Sequence, residues 1–165
     1  MIRPATPQDL PALHWLVRDL ATYEQAPDQV TATEADLGAA LFPADGQPRV
    51  WADVAEVEGA VVAMAVWFPS FSTWTGRHGI WLEDLYVDPA HRGRGLGGAL
   101  LATLARRVVE RGWTRLEWTV LDWNSPALGF YRSLGAVGQD DWTAQRLTGE
   151  ALAHLAARPT TGDPR

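Results

Sequence analysis

The 165-residue sequence predicts an α/β (α+β) fold in which one mixed sheet carries helices on both faces. Two observations favour this class. An apolar run over residues 50–57 ends at Glu58-Gly59, a hairpin-turn pair, and a second run over 60–68 returns. From residue 81 onward, strand-like and helix-like segments alternate. No repeat or long linker interrupts this pattern, so we expect one domain over residues 1–158.

The remaining strands are identified as short runs rich in Val, Leu, Trp and Tyr that end at glycine or proline signals. They are expected over residues 2–5, 81–87 and 115–121, with a last pair over 136–147. The stretch over 69–79, which contains Trp74, is expected to be a loop. Helices are indicated by capping residues followed by apolar side chains at helical spacing.

The expected helix starts are Thr6, Thr33, the glycine-rich segment that ends at Gly98, Ser125 and Thr148. In the second helix, Leu37, Ala40 and Leu41 are expected to face inward. The third should run to about Arg111, because Gly112 follows it. Residues 159–165 are expected to form a disordered tail.

The composition excludes several kinds of chemistry. The net charge of −6 argues against a nucleic-acid partner. All 14 residues of the Lys and Arg class are Arg and Cys is absent, which excludes a lysine Schiff base, disulfides and a cysteine nucleophile. No apolar run reaches the roughly 18–20 residues of a membrane span, and no His pair has metal-ligand spacing. We therefore expect a cytoplasmic protein without a metal.

The strongest local signal is a glycine-rich segment between the strand over 81–87 and the following helix. Its residues are Arg92, Gly93, Arg94, Gly95, Leu96, Gly97 and Gly98. Glycines let the backbone approach a ligand closely, and the amides of a helix start favour an anion such as pyrophosphate. The spacing fits neither a Walker A loop nor a dinucleotide-binding fingerprint. A flexible connection between strand and helix is the alternative interpretation.

Residues 92–97 resemble the Arg/Gln-x-x-Gly-x-Gly/Ala motif of the GNAT acetyltransferase superfamily. Other parts of the sequence are similar to one branch of this superfamily, the diamine (spermidine/spermine) and thialysine N-acetyltransferases. Three short matches are Tyr23-Glu24, Asp28-Gln29-Val30 and Trp142, and four longer ones accompany them. The longer matches are Ser72-Thr73-Trp74-Thr75-Gly76-Arg77, Trp81-Leu82-Glu83-Asp84-Leu85-Tyr86-Val87, Val120-Leu121-Asp122-Trp123-Asn124 and Phe130-Tyr131 with Leu134-Gly135-Ala136. The similarity extends from about residue 2 to residue 155.

The resemblance implies a mostly antiparallel mixed sheet whose fourth and fifth strands splay apart at a bulge, with acetyl-CoA in the cleft. Backbone groups of Leu85, Tyr86 and Val87 would bind the pantetheine arm and thioester, and residues 92–98 the pyrophosphate. Asn124, Ser125, Pro126 and Ala127 would line the same arm beyond the fifth strand. The implied enzyme is an acetyl-CoA-dependent N-acetyltransferase, an acyltransferase that works as a homodimer.

The implied reaction needs a base, because an alkyl amine is mostly protonated at neutral pH. Glu83, acting through a water, is the candidate, since an otherwise apolar strand would bury its carboxylate. A solvent-facing strand-end carboxylate is the alternative. Asp84 would attract the cationic substrate or close a salt bridge. The Leu85 amide would stabilise the oxyanion, and Tyr131 would protonate the leaving thiolate unless it is a core aromatic beside Phe130.

The candidate acceptor-binding residues are acidic or aromatic, which suits an alkylammonium group. They are Tyr23, Glu24, Trp74, Glu83, Asp84, Glu117, Asp140, Asp141 and Trp142. Each of these carboxylates could equally be surface charge. The stretch after Tyr23-Glu24 contains a single acid, Asp28, which is closer to the thialysine enzymes than to the polyamine enzymes.

The sequence leaves the acceptor open among polyamines, short diamines and thialysine-like amino acids. Acetylation of another amine, such as an aminoglycoside or a protein N-terminus, is a competing function. A non-catalytic acyl-CoA-binding sensor is an alternative of another class, and it would keep the glycine-rich segment without requiring Glu83 or Tyr131.

Overall fold

The computed structural model describes residues 1–158, which fall into two compact units, Met1–Thr119 and a second that begins at Val120. The expectation of one domain over residues 1–158 stays a prediction, and the expected tail over 159–165 lies outside the described residues.

The first unit is built on a five-stranded sheet. Its strands, which lie side by side in chain order, are β1 (Ile2–Pro4), β2 (Trp51–Val57), β3 (Ala60–Ser72), β4 (Arg77–Val87) and β5 (Leu116–Glu117). Neighbouring strands are antiparallel except β4 and β5, which are parallel. The mixed, mostly antiparallel sheet is therefore confirmed.

Three helices of the first unit pack against this sheet: α1 (Leu10–Tyr23), α2 (Glu34–Leu41) and α3 (Leu96–Glu110). The predicted starts at Thr6 and Thr33 are confirmed, with a 3-10 turn over Pro7–Asp9 leading into α1. In α2, Leu41 is buried as expected, but Ala40 is exposed because only the end of this short helix reaches the core.

The helices cover both faces of the sheet, as predicted. Leu13 and Leu16 of α1 join one core cluster with Val54 of β2. Asp53, the neighbour of Val54, points to the opposite face because side chains alternate along a strand. There it is buried and paired with Arg107 of α3, whose guanidinium nitrogens lie 2.7 and 2.9 Å from its carboxylate oxygens.

The predicted hairpin between β2 and β3 is confirmed. Its turn residues Glu58 and Gly59 have φ values of 51° and 82°, which is the left-handed conformation that a tight two-residue hairpin requires. The next connection differs from the prediction. The expected loop over 69–79 is wrong, because β3 continues to Ser72 and β4 already begins at Arg77. Ten antiparallel residue pairs join β3 and β4, and the polar and aromatic residues of the expected loop continue this ladder.

The second unit contains α4 (Ser125–Ser133) and α5 (Gly149–Ala156). Both helices were predicted, and Asn124 and Thr148 are their N-caps. The strand pair expected over 136–147 is wrong, since none of these residues forms a ladder. The strand expected over 115–121 is confirmed only at Leu116–Glu117, the two residues that pair with β4.

None of the helices within residues 1–158 has both the length and the apolar character of a membrane span. The same part of the chain holds no group of three or more His, Asp or Glu side chains arranged to bind a metal.

Candidate active site

The glycine-rich segment forms a sharp turn between β4 and α3. Asp88 first caps a 3-10 turn over Pro89–His91 by accepting a hydrogen bond from the amide of Ala90 at 2.9 Å. Gly93 and Gly95 then both adopt φ of 76°. This left-handed backbone is accessible to glycine without the strain that a side chain would bring, so both glycines are required by the turn itself.

The turn directs backbone donors toward open space. The hydrogen bond that closes the first turn of α3 runs from the Ala99 amide to the Gly95 carbonyl at 2.9 Å, so the amides of residues 96–98 precede it. A Cβ atom added at Gly93, Gly95 or Gly98 would meet no heavy atom within 4 Å. An anion therefore has room to approach the start of α3, which fits the pyrophosphate of a coenzyme.

Arg92 lies at the start of this turn but is directed back onto the fold. Its Nε donates to the carbonyl of Val87 at 3.0 Å. Its guanidinium carbon lies 4.9 Å from the ring centre of Tyr23 and 5.3 Å from that of Tyr86. Arg94 is exposed and makes no hydrogen bond or ion pair with the described residues.

Next to the turn, one edge of β4 is left without a strand partner. The parallel ladder joins Ile80 to Leu116 and Trp81 to Glu117, and it ends there. Residues 85–87 of β4 lie beyond the last of these pairs. This is the splayed arrangement that the resemblance implied, and it leaves the edge of β4 available to a pantetheine arm.

A β-bulge lies at the same point of β4. Trp67 of β3 pairs with Leu82 and Val66 pairs with Asp84, so Glu83 is the extra residue between them. A bulge shifts the alternation of side chains by one residue. Asp84 therefore shares the face of Val66, which packs with the α1 core, whereas Leu82 shares the face of Trp67.

The bulge brings three carboxylates together. Desolvation, with the neighbouring charges of Glu83 and Glu24 acting in the same direction, raises the pKa of Asp84 to about 6. Desolvation also raises the pKa of Glu24, which follows the last turn of α1. Asp84 has no ion-pair partner among residues 1–158. The cluster has the charge to attract a cation, and Asp84 has the pKa of a general base for neutral pH.

Glu83 lies differently from the sequence expectation. Its side chain is exposed, and its Oε2 accepts a hydrogen bond from the Trp81 indole at 3.0 Å. The expected burial of Glu83 on an apolar strand is wrong, because the bulge turns this residue outward. Asp84 is instead half-buried and desolvated, so the chemical argument made for Glu83 transfers to its neighbour.

Two predicted acceptor residues of the first unit lie apart from the carboxylate cluster or are already paired. Glu117 forms a salt bridge with Arg115, whose Nε lies 2.7 Å from its Oε2, and it accepts a hydrogen bond from the Ser70 hydroxyl at 3.4 Å. Trp74 lies in the turn between β3 and β4 and is 88% exposed. Glu83 stands six positions after Arg77 on β4, roughly 20 Å along a strand, so one chain does not bring Trp74 to the cluster.

The second unit carries the other predicted residues. The Asn124 side chain accepts from the Ala127 amide at 3.3 Å and so caps α4, where Ser125 and Pro126 form the first turn. Tyr131 lies on α4 with its ring 5.3 Å from that of Phe130. The irregular segment after α4 carries three exposed residues that were predicted to bind the acceptor: Asp140, Asp141 and Trp142.

Sequence reasoning missed two side chains that shape the first unit's part of the site. Asp19 of α1 accepts a hydrogen bond from the Tyr86 hydroxyl, which ties α1 to β4. Trp81 holds Glu83 through its indole. Asp19 and Tyr86 stand 67 positions apart, so no local pattern could pair them. Trp81 and Glu83 stand two positions apart on β4, the spacing that places side chains on one face of a strand, so this pair could have been found from the sequence.

Comparisons with known proteins found a matching family profile and relatives that span nearly the whole chain. The profile of the acetyltransferase (GNAT) family matches residues 11–136. The thialysine N-epsilon-acetyltransferase of Bos taurus is 37% identical over 96% of this chain and 98% of its own. The L-ornithine N5-acetyltransferase of Arabidopsis thaliana is 27% identical over 92% of this chain and 85% of its own.

The fold has solved counterparts as well. An integron cassette protein from the mobile metagenome of V. cholerae superposes with a TM-score of 0.79 at 25% sequence identity. The match covers 96% of this chain and 98% of that one.

Proposed function

Because the chain belongs to the acetyltransferase (GNAT) family, we propose that it transfers the acetyl group of acetyl-CoA to a primary amine of a small cationic acceptor. The observation that carries the proposal is the turn at Gly93 and Gly95, which opens the start of α3 to an anion beside the free edge of β4. Pyrophosphate and pantetheine are the two parts of coenzyme A that these features suit.

In this proposal, the coenzyme binds mainly to backbone groups. The amides of the glycine turn and Arg94 hold the pyrophosphate, and residues 85–87 of β4 hydrogen-bond the pantetheine arm. Asn124 to Ala127, at the start of α4, line the same arm. The residues present fit this co-substrate, because donors and open space occur at the turn and a strand edge follows directly.

We assign proton abstraction to Asp84. Its carboxylate takes a proton from the acceptor's ammonium group, directly or through a water, and the freed nitrogen attacks the thioester carbon. A C–N bond forms, the C–S bond breaks, and the Leu85 amide stabilises the intermediate oxyanion. The sulfur leaves as a thiolate and takes a proton from the Tyr131 phenol. The second proton of the acylated nitrogen then passes to the Tyr131 phenolate through water, and Asp84 releases its proton to solvent. Acetyl transfer is direct, in a ternary complex.

Glu83 and Glu24 act on the charge of the acceptor. Together with Asp84 they form a cluster of like charges at the end of α1 and the bulge of β4. A cationic amine lowers the repulsion within such a cluster, so binding of the acceptor and ionisation of Asp84 support each other.

The acceptor that we favour is a basic amino acid with a side-chain amine. The relatives named for thialysine and for ornithine both take such a compound, and the single acid after Tyr23-Glu24 fits the same choice. Diamines and polyamines share the ammonium chemistry and remain in the proposed class. An aminoglycoside, a protein N-terminus and a non-catalytic sensor are the competing outcomes.

The test is release of coenzyme A thiol from acetyl-CoA across a panel of amines. The panel contains thialysine, L-ornithine, L-lysine, putrescine, spermidine, an aminoglycoside and a peptide with a free N-terminus. L-norvaline, which has the carbon chain of ornithine without the side-chain amine, is the matched control.

The proposal expects the highest kcat/KM with a basic amino acid or a diamine, and none with norvaline. If only the aminoglycoside or only the peptide is acetylated, the acceptor belongs to another substrate class and the proposed acceptor is wrong. Acetyl-CoA binding without thiol release from any amine would identify a sensor.

A further inference from the structure

We infer that Arg92 is a positioning residue, which fixes the entry of the glycine turn and acts on the coenzyme through that turn. This inference rests on the proposed function, since coenzyme A is there the ligand of the turn. The sequence motif alone placed both Arg92 and Arg94 among the residues that would bind the pyrophosphate. The structure separates the two arginines.

The contacts of Arg92 are all to the protein. Nε bonds the carbonyl of Val87, the last residue of β4, at 3.0 Å. The guanidinium carbon lies within 5.3 Å of two phenol rings, those of Tyr23 and Tyr86. A planar guanidinium can lie against two aromatic rings in a way that an ammonium cannot. Both arginines are exposed to solvent, but Arg94 has no bonded partner in the described chain.

The two rings that contact Arg92 belong to packed elements of the first unit. Tyr86 is only 4% exposed, and its hydroxyl donates to Asp19 of α1. Tyr23 is the last residue of α1, and its ring centre lies 6.4 Å from that of Tyr86. Arg92 is thereby attached to two elements of the core, α1 and β4.

The turn needs such an attachment because its own residues are flexible. Gly93 and Gly95 are glycines in left-handed conformations, and such residues are the most flexible points of a chain. The backbone bond just before them, from the Arg92 amide to Pro89, is long at 3.4 Å. The Arg92 side chain is therefore the last strong anchor before the amides that face the anion.

One structural consequence links the two substrates. The last turn of α1 holds Arg92 through Tyr23, and the next residue, Glu24, belongs to the carboxylate cluster around Asp84. The end of α1 therefore both contacts the residue that orders the coenzyme turn and carries one of the carboxylates proposed to bind the acceptor.

The experiment measures coenzyme A affinity by titration calorimetry, without amine, at low and high salt. The variants are Arg92→Gln, Arg92→Lys, Tyr23→Leu and the double variant Arg92→Gln/Tyr23→Leu. Arg94→Gln and Arg94→Lys form the matched pair at the exposed arginine. Circular dichroism checks that each variant is folded. If Arg92→Gln does not fold, the coenzyme A affinities of Arg92→Lys and Tyr23→Leu still test the inference.

The inference expects Arg92→Gln to weaken coenzyme A binding about tenfold, the loss typical of one strong contact. Arg92→Lys does not restore it, and Tyr23→Leu gives a similar loss. The double variant binds coenzyme A no more weakly than the weaker-binding single variant, because both substitutions disrupt the same contact between Arg92 and Tyr23. The salt dependence stays that of the wild type. Arg94→Gln instead reduces the salt dependence, and Arg94→Lys recovers most of its affinity.

Full recovery in Arg92→Lys, a reduced salt dependence in Arg92→Gln, or additive losses in the double variant would overturn the inference and make Arg92 a direct phosphate ligand. Unchanged affinity in every Arg92 variant would overturn it as well. A wild-type protein that binds no coenzyme A would instead refute the proposed function, so the two failures are distinguishable.

Discussion

At the scale of single residues, Asp84 is where activity and stability oppose each other. Its pKa is about 6 in the folded chain and 3.8 ordinarily, chiefly because it is buried. A raised carboxyl pKa favours folding below about pH 4, and that contribution is lost as the pH rises through 6. At neutral pH the ionised Asp84 carboxylate therefore lowers the stability of the fold. This ionised form is also the one that can accept a proton from the substrate.

Asp84→Asn should thus yield a more stable and far less active enzyme. We expect a gain in unfolding free energy on the order of 2 kcal/mol at pH 8 and almost none at pH 4. Urea unfolding at the two pH values measures the gain, and the pH profile of kcat/KM should lose its acid limb near pH 6. Glu83→Gln is the matched control. An acid limb that survives in Asp84→Asn and disappears in Glu83→Gln would return the base to Glu83.

In the proposed mechanism, the Tyr131 phenol donates a proton to the leaving thiolate. Tyr131→Phe removes the phenol hydroxyl and keeps the ring beside Phe130, so packing on α4 is retained. We expect kcat to fall about 100-fold or more while coenzyme A affinity stays within about twofold. Steady-state kinetics and calorimetry measure the two quantities. An unchanged kcat would remove Tyr131 from the mechanism.

The residues of the site were predictable to different degrees. Gly93 and Gly95 could be predicted, because a turn with left-handed backbone needs glycine and the signal is local. The burial of Asp84 in place of Glu83 could not. It depends on one extra residue in β4 relative to β3, and two adjacent carboxylates look alike in sequence.

At the scale of elements, the bulge in β4 decides which side chains meet which helix. It places Asp84 and Tyr86 on the α1 face, although Leu82 faces the other way. Strict alternation from Leu82 would have placed all three on one face. The hairpin and the capped helix starts are set by local chemistry and were predicted. The strands over 115–121 and 136–147 failed because a strand also needs a partner, which alternation does not reveal.

The start of α1 depends on Asp9. Its carboxylate bonds Arg3 at 2.7 and 2.9 Å and accepts from Thr6, and the Arg3 hydrogen bond lowers the pKa of Asp9 to about 2. A lowered pKa stabilises the fold above about pH 4, and this contribution is lost as the pH falls through 2. Asp9→Asn should cost about 1–2 kcal/mol at pH 7 and progressively less in acid.

Chemical unfolding of Asp9→Asn across this pH range tests the prediction. Asp36→Asn removes the equivalent residue of the exposed capping box at Thr33 of α2 and is the matched control. Its loss should be clearly smaller, because Asp36 has no arginine partner within the described chain. Equal losses in the two variants would show that the Arg3 pair contributes nothing beyond capping.

At the scale of the whole molecule, the second unit exposes an unusual amount of apolar surface. Val137 and Trp142 are 80% and 72% exposed, and Leu152 and Leu155 of α5 are each 51% exposed. A surface of this kind is typical of an interface. We propose that a second copy of the chain covers it, which gives the homodimer that the family resemblance implied.

Sedimentation velocity at micromolar concentration should show a dimer. The double variant Leu152→Glu/Leu155→Glu should shift the population to monomer, whereas Glu150→Gln, on the same helix, should not. A wild type that sediments only as a monomer would contradict the dimer.

The most direct measurement of the central claim is a crystal structure with coenzyme A bound. We expect pyrophosphate oxygens within hydrogen-bond distance of the amides of residues 93–98, and the pantetheine arm along residues 85–87 of β4. Phosphates bound elsewhere, with the start of α3 facing only solvent, would contradict the account.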